Sequence, residues 1–351
     1  MSYSACSYPS AFLVDITVLM GSQRAHEHYK QLGSPKWICA PMVDQSELPF
    51  RLLCRRYGVQ LCYTPMLHSR IFLEEEKYRK THFTTCETDR PLVVQFCAND
   101  PDIFVRAAQL VQHQCDAVDL NLGCPQHIAK KGYYGAFLQD NWELIERLVS
   151  TAANKLLVPV WCKIRIFDDV KRTIEYARMI ERAGCHVLAV HGRTREQKGK
   201  EPGPANWDTI RAVREALSIP VLANGNVSSL QDAKHCLEYT GCLGVLSATR
   251  LLDNPKLFTN DPTPDKITLA QEYLELTKQY PVELTMIRGH LFRLWRQLMS
   301  TSQMQKLATA SRVQEMEQLM QELKSQQAPK YNENETVRNE LKTSYVHYCP
   351  E

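Results

Sequence analysis

Residues 158–194 read VPVWCKIRIFDDVKRTIEYARMIERAGCHVLAVHGRT. An apolar run opens at Val160 (VWCKI), an amphipathic stretch follows from Val170 to Arg182, and a second apolar run opens at Val187 (VLAVH). Short continuous apolar runs suit strands buried on both faces, and a helical apolar stripe suits a helix laid over them. The segment predicts one strand–helix–strand unit of a parallel sheet.

The same alternation runs outward from Trp37 to Phe258. Apolar runs begin near Trp37 (WICAPM), Leu61 (LCYT), Leu92 (LVVQFC), Ala117 (AVDLN), Val160, Val187, Val221 (VLAN) and Leu243 (LGVLS), which makes eight. Helical patterns separate them at Leu48–Tyr57, Ile103–Gln112, Trp142–Ala152, Val170–Arg182, Trp207–Ala216 and Leu230–Glu238. Eight units over about 220 residues approach the ~250 residues usual for a TIM (β/α)8 barrel, which is the α/β fold expected here. An open, doubly wound sheet is the alternative arrangement of the same units.

The flanks divide the rest of the chain. Residues 1–35 are expected as a flexible leader, 36–262 as the barrel, 263–327 as a C-terminal all-helical domain and 328–351 as a poorly ordered polar tail. Pro262 and Pro264 mark the main boundary. The apolar stretch Ala11–Met20 is interrupted by Asp15, lacks a basic run before it and is too short to span a bilayer. Ile287, Leu291, Leu294 and Leu298 share one helical face while Arg288, Arg293 and Arg296 project elsewhere. Gln303 to Gln327 reads as one exposed helix.

Composition excludes several classes. With 44% hydrophobic and 23% charged residues the chain is neither disordered throughout nor membrane-spanning. Its net charge of +3 is spread out, so any RNA contact must come from local patches. The 13 cysteines are odd in number and form no Cys-x-x-Cys pair, which points to a reduced compartment, cytoplasmic or nuclear, and to no metal site. Most are expected to be buried as small apolar residues.

In a barrel of this kind reacting groups lie at the C-terminal ends of the strands. Those positions are Ala40, Pro41 and Met42 after the first strand, Gln95 on the third, Asn121 on the fourth, and Lys163 and Arg165 on the fifth. His191, Gly192 and Arg193 end the sixth, and Asn224, Gly225 and Asn226 end the seventh. Unpaired polar groups at buried strand ends cost a few kcal/mol, so their convergence implies a ligand. Lys163, Arg165, His191 and Arg193 make the face cationic, which suits a phosphate or a developing negative charge. Flavin mononucleotide satisfies both, with a lysine near the ring's N1 and O2 and backbone N–H groups after the seventh and eighth strands on its phosphate. Each residue also has a plainer reading: Gln95 paired with a neighbouring strand end, Lys163 ion-paired with Asp119, His191 a satisfied core histidine.

Cys124 lies in Asn121-Leu122-Gly123-Cys124-Pro125, on the loop past the fourth strand. It is either a packing thiol or a functional one. A thiol with pKa near 8.5 is mostly protonated at neutral pH and can act as a general acid.

These motifs make the chain resemble the flavin-dependent tRNA-dihydrouridine synthases from about Trp37 to Phe258. Ala40–Met42, Asn121–Pro125 with Gly135-Ala136, Lys163–Arg165, His191–Thr194 and Ala223–Asn226 occur in the family's order on the expected strands. The wording of Ala40–Leu48, Leu61–His68, Gln95–Pro101 and Asp119–Pro125 is most similar to the eukaryotic synthase 1 subgroup, which acts on uridines 16 and 17 of the tRNA D-loop. The resemblance implies FMN as cofactor, NADPH as electron donor, hydride delivery to uracil C6 and Cys124 as the acid that protonates C5. It implies FMN contacts from Pro41, Met42, Val43, Gln95, Lys163, His191, Asn224, Gly225, Asn226, Ala248 and Thr249, and substrate contacts from Asn121, Arg165 and Arg193. It implies tRNA as partner, bound partly by the helical region with Arg288, Arg293 and Arg296 on its phosphates. A monomer with no membrane partner is expected.

Ser247-Ala248-Thr249-Arg250 departs from the family's pattern, which has a glycine where Arg250 stands. Loss of that glycine is expected to make any positive φ there costly, with Arg250 compensating at the phosphate. A barrel reductase of free pyrimidines and a tRNA-binding protein without catalysis are the competing readings.

Overall fold

The computed structural model describes residues 10–199, 202–261 and 265–327. Its strands are β1 (Trp37–Cys39), β2 (Leu61–Tyr63), β3 (Leu67–His68), β4 (Leu92–Cys97), β5 (Ala117–Leu122), β6 (Val160–Arg165), β7 (Val187–His191), β8 (Val221–Asn224) and β9 (Gly244–Ser247). All pairings are parallel: β1 joins both β2 and β9, β2 joins β4, and β4 to β9 pair in succession. Eight strands therefore close on themselves, which selects the TIM barrel over the open sheet. The two-residue β3 is an addition laid against the C-terminal end of β4, with Leu67 opposite Phe96.

Successive strand residues point to opposite faces, and this period sorts the barrel. On β6, Cys162 and Ile164 pack outward beneath the helices, whereas Trp161 joins the apolar interior and Lys163 and Arg165 open into a cavity. Ala117, Asp119 and Asn121 on β5, and Val93 and Gln95 on β4, follow the same inward series. Register aligns them: Asp119 lies opposite Trp161, Asn121 opposite Lys163, Arg165 opposite His191, and His191 opposite Asn224. The surrounding helices start at capping side chains. Asp100, Asn141, Asp169, Asn206 and Ser229 each accept a backbone N–H of the first turn that follows.

The expected leader is corrected over much of its length. Residues 10–31 form a helix, with Ala25 and Tyr29 fully buried. Tyr29 meets Trp161 at a ring distance of 6.2 Å, and Ser22 Oγ donates to the Ser218 carbonyl at 2.7 Å. The helix thereby covers the N-terminal end of the barrel. Its apolar residues do not gather into one stripe, which is why the pattern concealed it.

Four helices follow the barrel: Lys266–Gln279, Leu284–Trp295, Thr301–Thr309 and Val313–Gln327. The single exposed helix expected from Gln303 to Gln327 is thus two, and Met316, Leu319, Met320 and Leu323 bury one face of the second. Glu47, after β1, ties this region to the barrel: its Oε1 accepts the Tyr273 hydroxyl at 2.7 Å and its Oε2 meets His290 Nε2 at 3.0 Å. The expected tail, 328–351, lies outside the described residues. Among the described residues no helix is long and apolar enough to cross a membrane.

Candidate active site

A cavity of about 310 Å³ opens at the C-terminal end of the barrel. Its lining brings together Pro41, Met42, Val43, Gln95, Asn121, Cys124, Lys163, Arg165, His191, Ala248 and Thr249, gathered from the ends of six strands and their loops. Four expected residues stand outside the lining. Asn224 supports Lys163, its Oδ1 accepting from Nζ at 2.9 Å. Gly225 has φ +115°, and a Cβ there would come within 2.6 Å of Ala205. Asn226 accepts from Arg193 Nη2 at 2.7 Å, and Arg193 also reaches the Gly203 carbonyl and His191. A roomier cleft of about 760 Å³ lies among the outer helices near Tyr239, and another of about 620 Å³ lies between Tyr239 and the loops after β6, β7 and β8, where Asn226 lines it; neither takes in Cys124, Lys163 or Arg165.

A chain of amides runs under the cavity with only one possible orientation. Asp119 Oδ2 accepts from Gln95 Nε2 at 2.8 Å, Gln95 Oε1 accepts from Asn121 Nδ2 at 2.8 Å, and Asn121 Oδ1 accepts the backbone N–H groups of Gly123 and Cys124. A backbone N–H only donates, so Gly123 and Cys124 fix the Asn121 amide, which fixes that of Gln95, whose NH2 then faces Asp119 Oδ2. Asp119 is fully buried and desolvation raises its pKa to about 7, while its Oδ1 has no hydrogen-bond partner. The expected pairing of Gln95 with a neighbouring strand end is present and serves the Cys124 loop.

Lys163 is half-buried. Desolvation first, then Arg165, lowers its pKa to about 8, and among the described residues no carboxylate lies within ion-pair distance of its Nζ. The ion pair with Asp119 that would have made Lys163 structural is not formed. Arg165 spends Nε on the Gly123 carbonyl at 2.7 Å and Nη1 on the Thr194 and Gln197 carbonyls, binding two rim loops together. Burial lowers its pKa to about 10, so it stays charged at neutral pH. His191 is held well below the usual imidazole range by desolvation, reinforced by Lys163, Arg165 and Arg193. Arginine can only donate, so the 3.1 Å contact from Arg193 Nη1 makes Nε2 the acceptor and leaves the proton on Nδ1. Lys163, Arg165 and Arg193 form, among the described residues, no ion pair with a carboxylate, and such a partly buried cationic cluster is complementary to an anionic ligand.

Among the described cysteines only Cys124 and Cys86 escape full burial, and all are free thiols. Gly135 fits against Cys124: at φ +65°, an added Cβ would fall 2.8 Å from the Cys124 carbonyl oxygen and 2.9 Å from its Cβ. The next residue, Ala136, donates its N–H to that carbonyl at 3.0 Å. The Gly-Ala pair downstream of the cysteine is therefore part of the same loop support. Burial raises the Cys124 thiol above its ordinary pKa, while the Gln126 N–H, Arg165 and Lys163 pull in the opposite direction.

The loop after β9 differs from expectation. None of Ala248, Thr249 and Arg250 has a positive φ, so the lost glycine imposes no strain. Arg250 is 62% exposed, pairs with Asp253 at 3.8 Å and does not line the cavity. Gln45, Met66, Gln126, Leu252 and Arg293 line it unforeseen. Gln45 and Gln126 lay in or beside noted motifs; Arg293 was expected only as a tRNA-phosphate contact, and nothing in the sequence placed it at the cavity, because its helix lies well beyond the last strand.

A family model described as dihydrouridine synthase matches residues 38–345. A Mus musculus protein named as an NAD(P)(+) tRNA-dihydrouridine(16/17) synthase-like protein is 53% identical over 276 residues, covering 78% of this chain and 58% of that protein. The Schizosaccharomyces pombe tRNA-dihydrouridine(16/17) synthase is 48% identical over 299 residues, covering 80% of this chain and 75% of its own. The chain thus spans 58% of the mouse relative's length and 75% of the yeast one's. A solved 2-naphthoyl-CoA reductase in complex with 2-naphthoyl-CoA superposes with a TM-score of 0.50 at 9% identity, covering 64% of this chain and 49% of that one, a likeness of fold alone.

Proposed function

The chain belongs to the dihydrouridine synthase family, and from that premise we propose that it reduces the C5–C6 double bond of uridine in tRNA, at positions 16 and 17, with FMN in the barrel mouth and NADPH as electron donor. The observation that carries this reading is the convergence of Lys163, Arg165, His191, Gln95, Asn121 and Cys124 on one cavity.

The donor set fits a flavin mononucleotide. Lys163 spends one hydrogen bond on Asn224 and keeps donors for the ring's pyrimidine edge, where reduction places negative charge. The cavity's uncompensated positive charge suits both that edge and a phosphate. A bound flavin would supply the electron pair that reduces C6. The protein's part is to position the base and move the proton. Cys124 gives its S–H proton to C5, and the resulting thiolate is steadied by the charges of Arg165 and Lys163. Its raised pKa keeps the thiol protonated at neutral pH, as an acid requires. The Asp119–Gln95–Asn121 chain holds the thiol's loop in place. A uridine must leave its stack to reach this mouth, where Arg165 lines the entrance.

Purified protein is expected to carry a yellow flavin chromophore and, offered tRNA and free uracil together with NADPH, to reduce only tRNA. Dihydrouracil as the main product would move the chain to the free-pyrimidine reductases.

A further inference from the structure

The other cations lining the mouth, Lys163 and Arg165, come from barrel strands; Arg293 comes from the helix Leu284–Trp295. It sits three residues beyond His290, so the two share a helical face. His290 is buried, bonded to Glu47 Oε2 at 3.0 Å and stacked on Phe50 with ring centres 4.5 Å apart. Those contacts set the rotation of the helix. They also join it to the loop after β1, whose Pro41, Met42 and Val43 line the cavity. One turn on, Arg293 reaches the same cavity beside Ala248, Thr249 and Leu252.

Among the described residues its side chain has one partner, Asp253, at a long 3.4 Å, and it is 41% exposed. Asp253 also faces Arg250 at 3.8 Å. One carboxylate between two guanidiniums leaves a unit of positive charge beside the end of β9, the eighth strand of the closed barrel. Loops after the seventh and eighth strands commonly hold phosphate in this fold. Here the β9 loop has neither a glycine nor a left-handed residue to bring its backbone close, and Arg250 does not line the cavity.

We propose that Arg293 binds the flavin's phosphate, so that the cofactor site is completed by the helical region and not by the barrel alone. A guanidinium suits phosphate through paired N–H donors. The inference rests on the flavin reading above and adds the residue that distinguishes FMN from riboflavin.

The test titrates the 351-residue chain, freed of flavin by high-salt dialysis, with FMN and with riboflavin, following flavin fluorescence. The wild type is expected to prefer FMN. Arg293→Met is expected to weaken FMN roughly ten- to hundredfold, the scale of a charged hydrogen bond, while riboflavin binding is unchanged. Arg293→Lys should restore part of the difference, and the neighbouring exposed Arg296→Ala should change neither ligand. Full FMN preference in Arg293→Met would overturn the assignment and leave the flavin reading standing. Equal weakening of both ligands, or lost tRNA affinity with FMN preference intact, would overturn it too, assigning Arg293 to packing or to the RNA backbone. Binding of neither flavin by the wild type would overturn the flavin reading itself.

Discussion

β6 contributes Trp161 to one end of the barrel and Lys163 and Arg165 to the other, and its neighbours repeat that division. At the N-terminal end Tyr29, Ile38, Tyr63, Val93, Trp161 and Leu222 form a fully buried cluster covered by the helix Ser10–Gln31. At the C-terminal end the inward positions are Gln95, Asn121, Lys163, Arg165 and His191. The strand geometry is the same at both ends; only the side chains change. The comparison teaches that one end is selected for packing and the other accepts a stability cost to hold charge ready for a ligand.

The largest effect should separate them most clearly. Trp161→Ala empties the centre of the apolar end and is expected to cost about 3–5 kcal/mol in denaturant unfolding, with unchanged flavin content in the protein that remains folded. A loss below about 1 kcal/mol would mean that this end is not a packed core.

Lys163→Met tests the polar end. It is expected to lower kcat/KM by roughly 10²–10³-fold, the scale of losing one preorganised electrostatic donor, while leaving stability equal or higher. Its pH signature is specific. Desolvation and Arg165 lower the Lys163 pKa to about 8, so the charged form, and with it the wild-type kcat/KM, is lost as pH rises through about 8. That limb should vanish in the variant; a limb that persists belongs to another group.

Asp119→Asn gives the smallest change and joins the two ends. The folded-state pKa is raised to about 7, so burial opposes the ionised form, and this cost is present above pH 7 and relieved below it. The variant should therefore be more stable than wild type at pH 8, by about 1–3 kcal/mol, with the gap narrowing toward pH 5. Turnover should fall, because the amide chain loses its charged anchor. A destabilised variant at pH 8 would contradict the assignment of Asp119 as a strained support.

The barrel was legible because strands buried on both faces leave uninterrupted apolar runs. Seven of the eight expected runs open where a strand begins, and the eighth strand begins at Gly244, one residue past Leu243. The polar strand ends were legible because Gln95, Lys163 and His191 break runs that should otherwise be apolar. What stayed hidden depends on contacts between distant segments. The helix Ser10–Gln31 has apolar residues spread around its axis and so shows no stripe, although Ala25 and Tyr29 are buried. The helices Ser69–Glu74 and Glu76–His82 are too short for a period to register. The backbone at Ala248–Arg250 follows from its φ values and not from the missing glycine, and Arg293 reaches the cavity only because His290 and Glu47 dock its helix.

The central claim is that this mouth, with Cys124 as its acid, makes dihydrouridine. Its most direct test is mass-spectrometric mapping of unmodified tRNA after incubation with the purified chain, FMN and NADPH. The account predicts a gain of two hydrogens at uridines 16 and 17, lowered by roughly a hundredfold or more in Cys124→Ala. No dihydrouridine despite binding of both FMN and tRNA, or undiminished product from Cys124→Ala, would contradict it.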